Sequence, residues 1–330
     1  MDNLINHPLS IILFAVIVII MLLLDLGVFH KKSHEVSSKE ALLWSVSWIG
    51  LSMLFSVFLY FSIGLEAFSQ FQAAYWIEKS LSVDNLFVFI LVFGFFKVPK
   101  DYQHKVLFWG ILGALLMRAV FIFSGVELIK LSYLPAINIL GEPREINVIL
   151  SLFGIFLIYA GIKSWFVSEE DESEDFSTSA GAKFVHRFFK VSKEFDGDKF
   201  FTVENGVKLA TPLLVVIGVI EFTDLLFAVD SIPAIFAISE DPAILYTSNI
   251  FAILGLRSLY FLLANFIYMF SRLHYGLALI LSFIGIKMLI NPFYHISSPL
   301  SLAIVASILI LSVLASLIWP MKEDSESSKE

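Results

Sequence analysis

Three carboxylates, Glu221, Asp224 and Asp230, interrupt one long apolar run: Glu221-Phe-Thr-Asp224-Leu-Leu-Phe-Ala-Val-Asp230-Ser231-Ile-Pro233. A second stretch, Glu78-Lys-Ser-Leu-Ser-Val-Asp84-Asn85, repeats the pattern in the first half of the chain. Acids at membrane depth are costly and are kept for an ion path, a proton relay or a ligand. The donors on offer are carboxylates, the Asn85 amide, the hydroxyls of Thr223 and Ser231, and backbone carbonyls. Hard oxygen ligands of this kind suit Mg2+, Ca2+ or Mn2+, and the residues alone do not choose among the three. The seven histidines, His7, His30, His34, His104, His186, His274 and His295, fall at termini, loops or span ends. A histidine-rich Zn2+ or Cu2+ centre is therefore not expected. The absence of cysteine excludes disulfides, thiolate sites and thiol redox chemistry by the chain itself. There is no Walker loop or Ser/His/Asp arrangement, so neither ATP-driven transport nor enzyme activity is expected.

The elements that must position these acids are membrane helices. Hydrophobic residues make up 58% of the 330, and mean hydropathy is +0.84, above the range of a soluble domain. Long unbroken apolar runs favour an all-α polytopic membrane protein over a β-barrel. About nine spans are expected, at 9–29, 41–63, 73–96, 104–128, 147–166, 209–238, 245–270, 274–291 and 299–319. Lysine and arginine concentrate in alternate loops: Lys31, Lys32 and Lys39, then Lys97, Lys100 and Lys105, then Lys183 to Lys208, then Arg272. By the positive-inside rule the N-terminus lies outside and the C-terminus in the cytoplasm. The lipid bilayer is the expected surrounding. No basic, aromatic-interleaved patch points to nucleic acid, and protein partners are not indicated. Residues 167–208 form the one sizeable linker. It opens on an acidic block, 169–175, expected to be solvated. The Phe/Lys-rich part, 186–201, is expected against the inner membrane surface or under the bundle.

Three landmarks recur in order. Val83-Asp84-Asn85 matches Val229-Asp230-Ser231, and Glu78 and Asp224 each lie six residues before the matched Asp. Gly113 to Arg118 resembles Gly255-Leu256-Arg257, and Gly161-Ile162-Lys163 resembles Gly285-Ile286-Lys287. The chain thus divides into two N-terminal helices (1–72), a first three-helix repeat (73–166), the linker (167–208), a second repeat (209–291), and a last helix with a polar tail (292–330). Repeats of three helices face opposite ways, the pattern of inverted-repeat transporters. Six helical residues rise about 9 Å, which predicts two carboxylate layers: Glu78 with Asp230, and Asp84 with Asp224. Glu221 would extend the second layer. Pro233 removes an N–H and crowds the carbonyl of residue 229, so a kink with spare carbonyl ligands is expected there. A structural alternative pairs each acid with Arg118, Arg257, Lys163 or Lys287, but five acids on two related helices exceed what packing requires. Lys163 and Lys287 sit near span ends where they can snorkel, whereas Arg118 and Arg257 are deeper and are read as partners that hold the empty site.

The motif from Glu221 to Pro233 closely resembles the TerC family of integral membrane proteins. So do Glu78 to Asn85, Thr247-Ser-Asn249 with Phe251 to Arg257, Phe283 to Lys287, and Phe200-Phe201 with Glu204-Asn205-Gly206. The likeness covers most of residues 10–320, and the arrangement is most like the Alx branch. The resemblance implies a bacterial inner-membrane protein of the LysE-like transporter superfamily, linked to manganese export and to metal supply for secreted enzymes. Carried over residue by residue, it makes Glu78, Asp84, Asn85, Glu221, Asp224 and Asp230 the metal-site candidates. Ser231, Pro233, Arg118, Arg257, Lys163 and Lys287 are the supporting residues of the reading. The expectation is a secondary transporter exporting a divalent cation, Mn2+ foremost, with protons as counter-ions. The rivals are a non-transporting membrane partner in metal delivery or in pH or redox response, and an intramembrane metal-dependent enzyme.

Overall fold

The computed structural model describes residues 12–20, 37–139, 142–166, 176–266 and 273–318. Within them the side chains of residues 83, 84, 87, 137–139, 142, 143, 229, 230, 265, 266, 273 and 274 lie outside the described set, as do the acidic block at 169–175 and the polar tail.

The chain is built from helices in the order α1 (residues 12–20), α2 (Ser38–Ser62), α3 (Leu65–Phe95), α4 (Lys100–Leu131), α5 (Val148–Phe166), α6 (Ala180–Phe188), α7 (Pro212–Phe236), α8 (Pro242–Leu254), α9 (Leu256–Phe266), α10 (Leu273–Ile290) and α11 (Ser298–Ile318). Six stretches among the described residues are long and apolar enough to cross a bilayer: α2, α4, α5, α7, α11 and the combined Pro242–Ala264. At 31 residues α3 is longer than most of them. Its Glu66, Glu78, Lys79 and Asp84 make it less apolar than a lipid-facing helix, and it packs instead against α2, α7, α8 and α11.

Helix ends follow local chemistry. Ser37 caps α2, its Oγ accepting from the Glu40 amide. Asp241 caps α8, accepting from Ala243 at 2.9 Å, with Pro242 in the first turn. The run at 245–270, expected as one span, is two helices that break at Gly255 over its described part, which ends at Phe266. α7 runs through Pro233 to Phe236, so the proline interrupts a hydrogen bond without ending the helix.

Two short hairpins sit among the helices, which an all-α reading did not anticipate: β1 (Ile137–Ile139) with β2 (Glu142–Arg144), and β3 (Phe201–Glu204) with β4 (Val207–Ala210). Asn205 and Gly206 turn the second hairpin with φ of 50° and 76°, the left-handed pair that a tight two-residue turn requires. This hairpin and α6 lie at the end of the bundle where α3 finishes and α4 and α7 begin. There Lys105 bridges Asp198 at 2.9 Å, and Phe176 meets Phe95 at 5.7 Å between ring centroids.

Small residues set how closely the helices approach. A Cβ on Gly154 would lie 2.9 Å from the Gly285 carbonyl, and one on Gly161 would lie 2.7 Å from the Ala278 carbonyl, so α5 and α10 touch backbone to backbone. On α4, Gly110 accommodates Ile220 and Gly125 accommodates Phe236 of α7. An aromatic cluster, Phe55, Phe71 and Phe251, fills the contact of α2, α3 and α8.

Candidate functional site

The deepest polar cluster forms around Arg118 of α4, whose side chain is 1% exposed. One guanidinium nitrogen donates to Glu78 of α3 and, at 3.1 Å, to the Asn249 carbonyl oxygen of α8. The other reaches Asp224 of α7 at 3.4 Å. The Asn249 amide donates to the second Glu78 oxygen at 2.9 Å, and Ser82 donates to the first at 3.2 Å. Four helices thus meet on one guanidinium. The two carboxylates share the one guanidinium, and this pairing offsets part of the several kcal/mol that a lone buried ion costs.

Glu78 and Asp224 belong to different predicted layers, yet one guanidinium spans the step between them. Asp84 and Asp230 lie on α3 and α7 as expected, but their side chains fall outside the described residues, so the pairing of Glu78 with Asp230 and of Asp84 with Asp224 is untested. Asn85 is buried, and among the described residues no hydrogen bond joins it to the cluster. Ser231 is also buried, and its hydroxyl has no partner among the described residues.

Glu221 sits one turn before Asp224, folded over Gly113 of α4; a Cβ there would lie 2.1 Å from its carboxylate oxygen. It is half-buried, and no donor reaches it among the described residues. Asp224 also faces a small cavity of about 20 Å3, bounded by Arg257, Gly110, Ile220 and Leu256, which is room for about one water molecule. Arg257 is buried on that wall. The two lysines of the third landmark differ: Lys163 is exposed on α5, whereas Lys287 is buried on α10 with Glu66 as its charged neighbour. Among the described residues, no three acidic or histidine side chains converge closely enough to hold a metal by themselves.

Two contributors escaped the sequence reading. Asn249 was noted only within a motif, though it locks Glu78 to Arg118. Lys79, 6% exposed, donates at 3.1 Å to the Ala252 carbonyl. That carbonyl lies in the last turn of α8, where the break at Gly255 leaves acceptors without helical donors. A cation there also meets the negative end of the helix dipole. Gly255 leaves room for this contact: a Cβ there would lie 2.7 Å from the Lys79 ammonium and would push it aside. The available signal was a lysine beside an acid in a span, facing a Leu-Gly-Leu break.

The model of the "Integral membrane protein TerC family" matches residues 63–325. The "Uncharacterized membrane protein STKORF319" of Myxococcus xanthus is 46% identical over 306 residues, covering 92% of this chain and 91% of the relative. Proteins named "Putative membrane-bound redox modulator Alx" are 42% identical in Photorhabdus laumondii, over 97% of this chain and 98% of the relative. In Escherichia coli K12 the figure is 41%, over 91% of each. No solved structure matches the chain.

Proposed function

The chain belongs to the integral membrane protein TerC family, and on that premise we propose that it is a secondary transporter exporting a divalent metal cation, Mn2+ foremost, through the carboxylates around Arg118. The carrying observation is that Glu78 and Asp224, from helices in different halves of the chain, are buried together on one guanidinium. In this reading Arg118 is the resident counter-charge that the incoming cation displaces, with Glu221 as the first carboxylate it meets. Asp84, Asp230 and Asn85 complete an oxygen ligand set suited to a hard divalent ion. Protons are the counter-ions, bound by the carboxylates when the cation leaves.

The architecture proposed is nine spans, which adds α1, α3 and α10 to the six, with the α8–α9 pair crossing as one. The α3–α5 and α7–α10 units form an inverted repeat. Two packing features support it. α3 packs along α8 while α7 packs along α4, the exchange expected of a two-fold. Matching Gly161 to Gly285 also matches Gly154 to Ala278, and the contacts of Gly154 with Gly285 and of Gly161 with Ala278 interchange under that match. The orientation proposed has the N-terminus outside and the C-terminus in the cytoplasm of a cell bounded by this inner membrane.

A second reading, a non-transporting membrane partner in metal delivery or in pH or redox response, rests on the printed name of the Alx relatives. The chain has no cysteine with which to exchange electrons. Proteoliposomes containing only this protein, loaded in turn with Mn2+, Mg2+ and Ca2+, separate the two. Transport predicts Mn2+ movement that is lost in Asp224→Asn; no movement of any ion favours the second reading.

A further inference from the structure

The helix α6 leaves an apolar flank that no part of the described protein covers. Ser179 caps it, its Oγ accepting from the Ala182 amide at 3.3 Å. Gly181, Ala182 and Val185 form its buried face. That face lies on α7 with backbones in contact: a Cβ on Gly181 would sit 2.2 Å from the Gly218 carbonyl oxygen, and one on Gly218 would sit 2.6 Å from Val185. Gly218 lies six residues into α7, about 9 Å along its axis, and the 25-residue α7 is about 37 Å long. A hydrocarbon core is about 30 Å thick. With α7 centred in such a core, Gly218 falls about 5 Å inside its edge, so α6, packed on the flank of α7, is positioned near the boundary between headgroups and acyl chains.

Its remaining surface is ordered. Phe184 and Phe188, one turn apart, are 63% and 62% exposed with ring centroids 4.9 Å apart. Lys183 and Arg187, also one turn apart, occupy the next flank and are exposed. From Phe176 to Lys193 the chain carries Lys183, Arg187, Lys190 and Lys193 and no acid. A helix that pairs an aromatic flank with a basic one is suited to lie in a membrane interface, with rings at acyl depth and cations at anionic headgroups.

We propose that α6 is an interfacial anchor for an anionic lipid surface, with Phe184 and Phe188 inserted and Lys183 and Arg187 facing lipid phosphates. Through the Gly181–Gly218 contact, the lipid surface would then hold the depth of α7 three residues before Glu221. This inference does not depend on the transport reading.

Because the chain has no cysteine, Phe184→Cys in the full-length protein introduces a single thiol for a bimane label. The variant would be reconstituted into vesicles of phosphatidylcholine, alone or mixed with phosphatidylglycerol. A spin label carried near the lipid headgroup should quench it several-fold more than a label at Glu204→Cys on the hairpin, and more in the phosphatidylglycerol vesicles. Lys183→Gln with Arg187→Gln in the same background should remove the phosphatidylglycerol gain. Phe188→Cys should behave like Phe184→Cys, which guards against a local fault in one variant. Equal access of aqueous iodide to the α6 and Glu204 labels would overturn the proposal. So would protection of the α6 label that grows with protein-to-lipid ratio without lipid quenching, because a second copy would then be the cover.

Discussion

On α3, Glu78 is sealed: it is 0% exposed, both oxygens are engaged, and three partners from α3, α4 and α8 hold it. On α7, Glu221 has the same carboxylate but lies half-buried over a glycine, with no donor among the described residues. Asp224, one turn on, stands between these cases, sharing Arg118 at 3.4 Å and facing a one-water cavity. The difference lies in what each helix packs against. α3 runs through the middle of the bundle and meets polar groups of α4 and α8, whereas Glu221 faces the smooth, glycine-lined side of α4. A carboxylate fully satisfied within the protein holds helices together; one without partners is available to something that arrives.

The comparison breaks most sharply at Arg118. Arg118→Gln leaves Glu78 buried without its counter-charge, and breaking such a pair costs about 3–5 kcal/mol. A large loss of melting temperature in detergent is expected, and a wild-type melt would show that the cluster is not sealed. Lys79→Met should cost less, about 1–3 kcal/mol, because it strips one donor from the Ala252 carbonyl. Gly113→Ala acts on the other side of the comparison. Its methyl group would push the Glu221 carboxylate aside while changing stability by less than about 1 kcal/mol. Reduced ion flux at a near-native melting temperature is expected.

The smallest effect lies outside the membrane. The hydrogen bond from Lys105 holds the Asp198 carboxyl below its ordinary 3.8. A depressed carboxylate stabilises the fold above that value and loses its contribution as pH falls through the lower, folded one. Lys105→Gln should loosen the hairpin by under about 1 kcal/mol at neutral pH, and by less in strong acid, where only the Lys105 bond to the Asp198 backbone carbonyl and its contact with the Phe200 ring remain to be lost. Hydrogen exchange of the β3–β4 amides at the two pH values measures it.

The helices were legible because apolar runs of bilayer length leave few alternatives, and the acids were legible because charge in such a run is costly. The Asn205-Gly206 pair carries the signal of a tight turn, but it entered the sequence reading only as part of a family likeness, and the hairpin was not expected. Less visible was which acid pairs with which base, since Arg118 chooses among carboxylates by the approach of four helices distant in sequence. The role of Lys79 depends on a helix break at Gly255, in a stretch whose hydropathy is continuous. The fate of Lys287 was hidden too: a span-end lysine is expected to snorkel, but α3 and α11 come close enough to bury it beside Glu66, itself bonded to Ser298.

The most direct measurement sets Glu78→Gln beside Glu221→Gln, with Mn2+ flux in proteoliposomes and melting temperature recorded on the same preparations. The account predicts that Glu78→Gln loses both, whereas Glu221→Gln loses flux and keeps its melting temperature. Retained flux in Glu221→Gln, or equal destabilisation of the two variants, would contradict it.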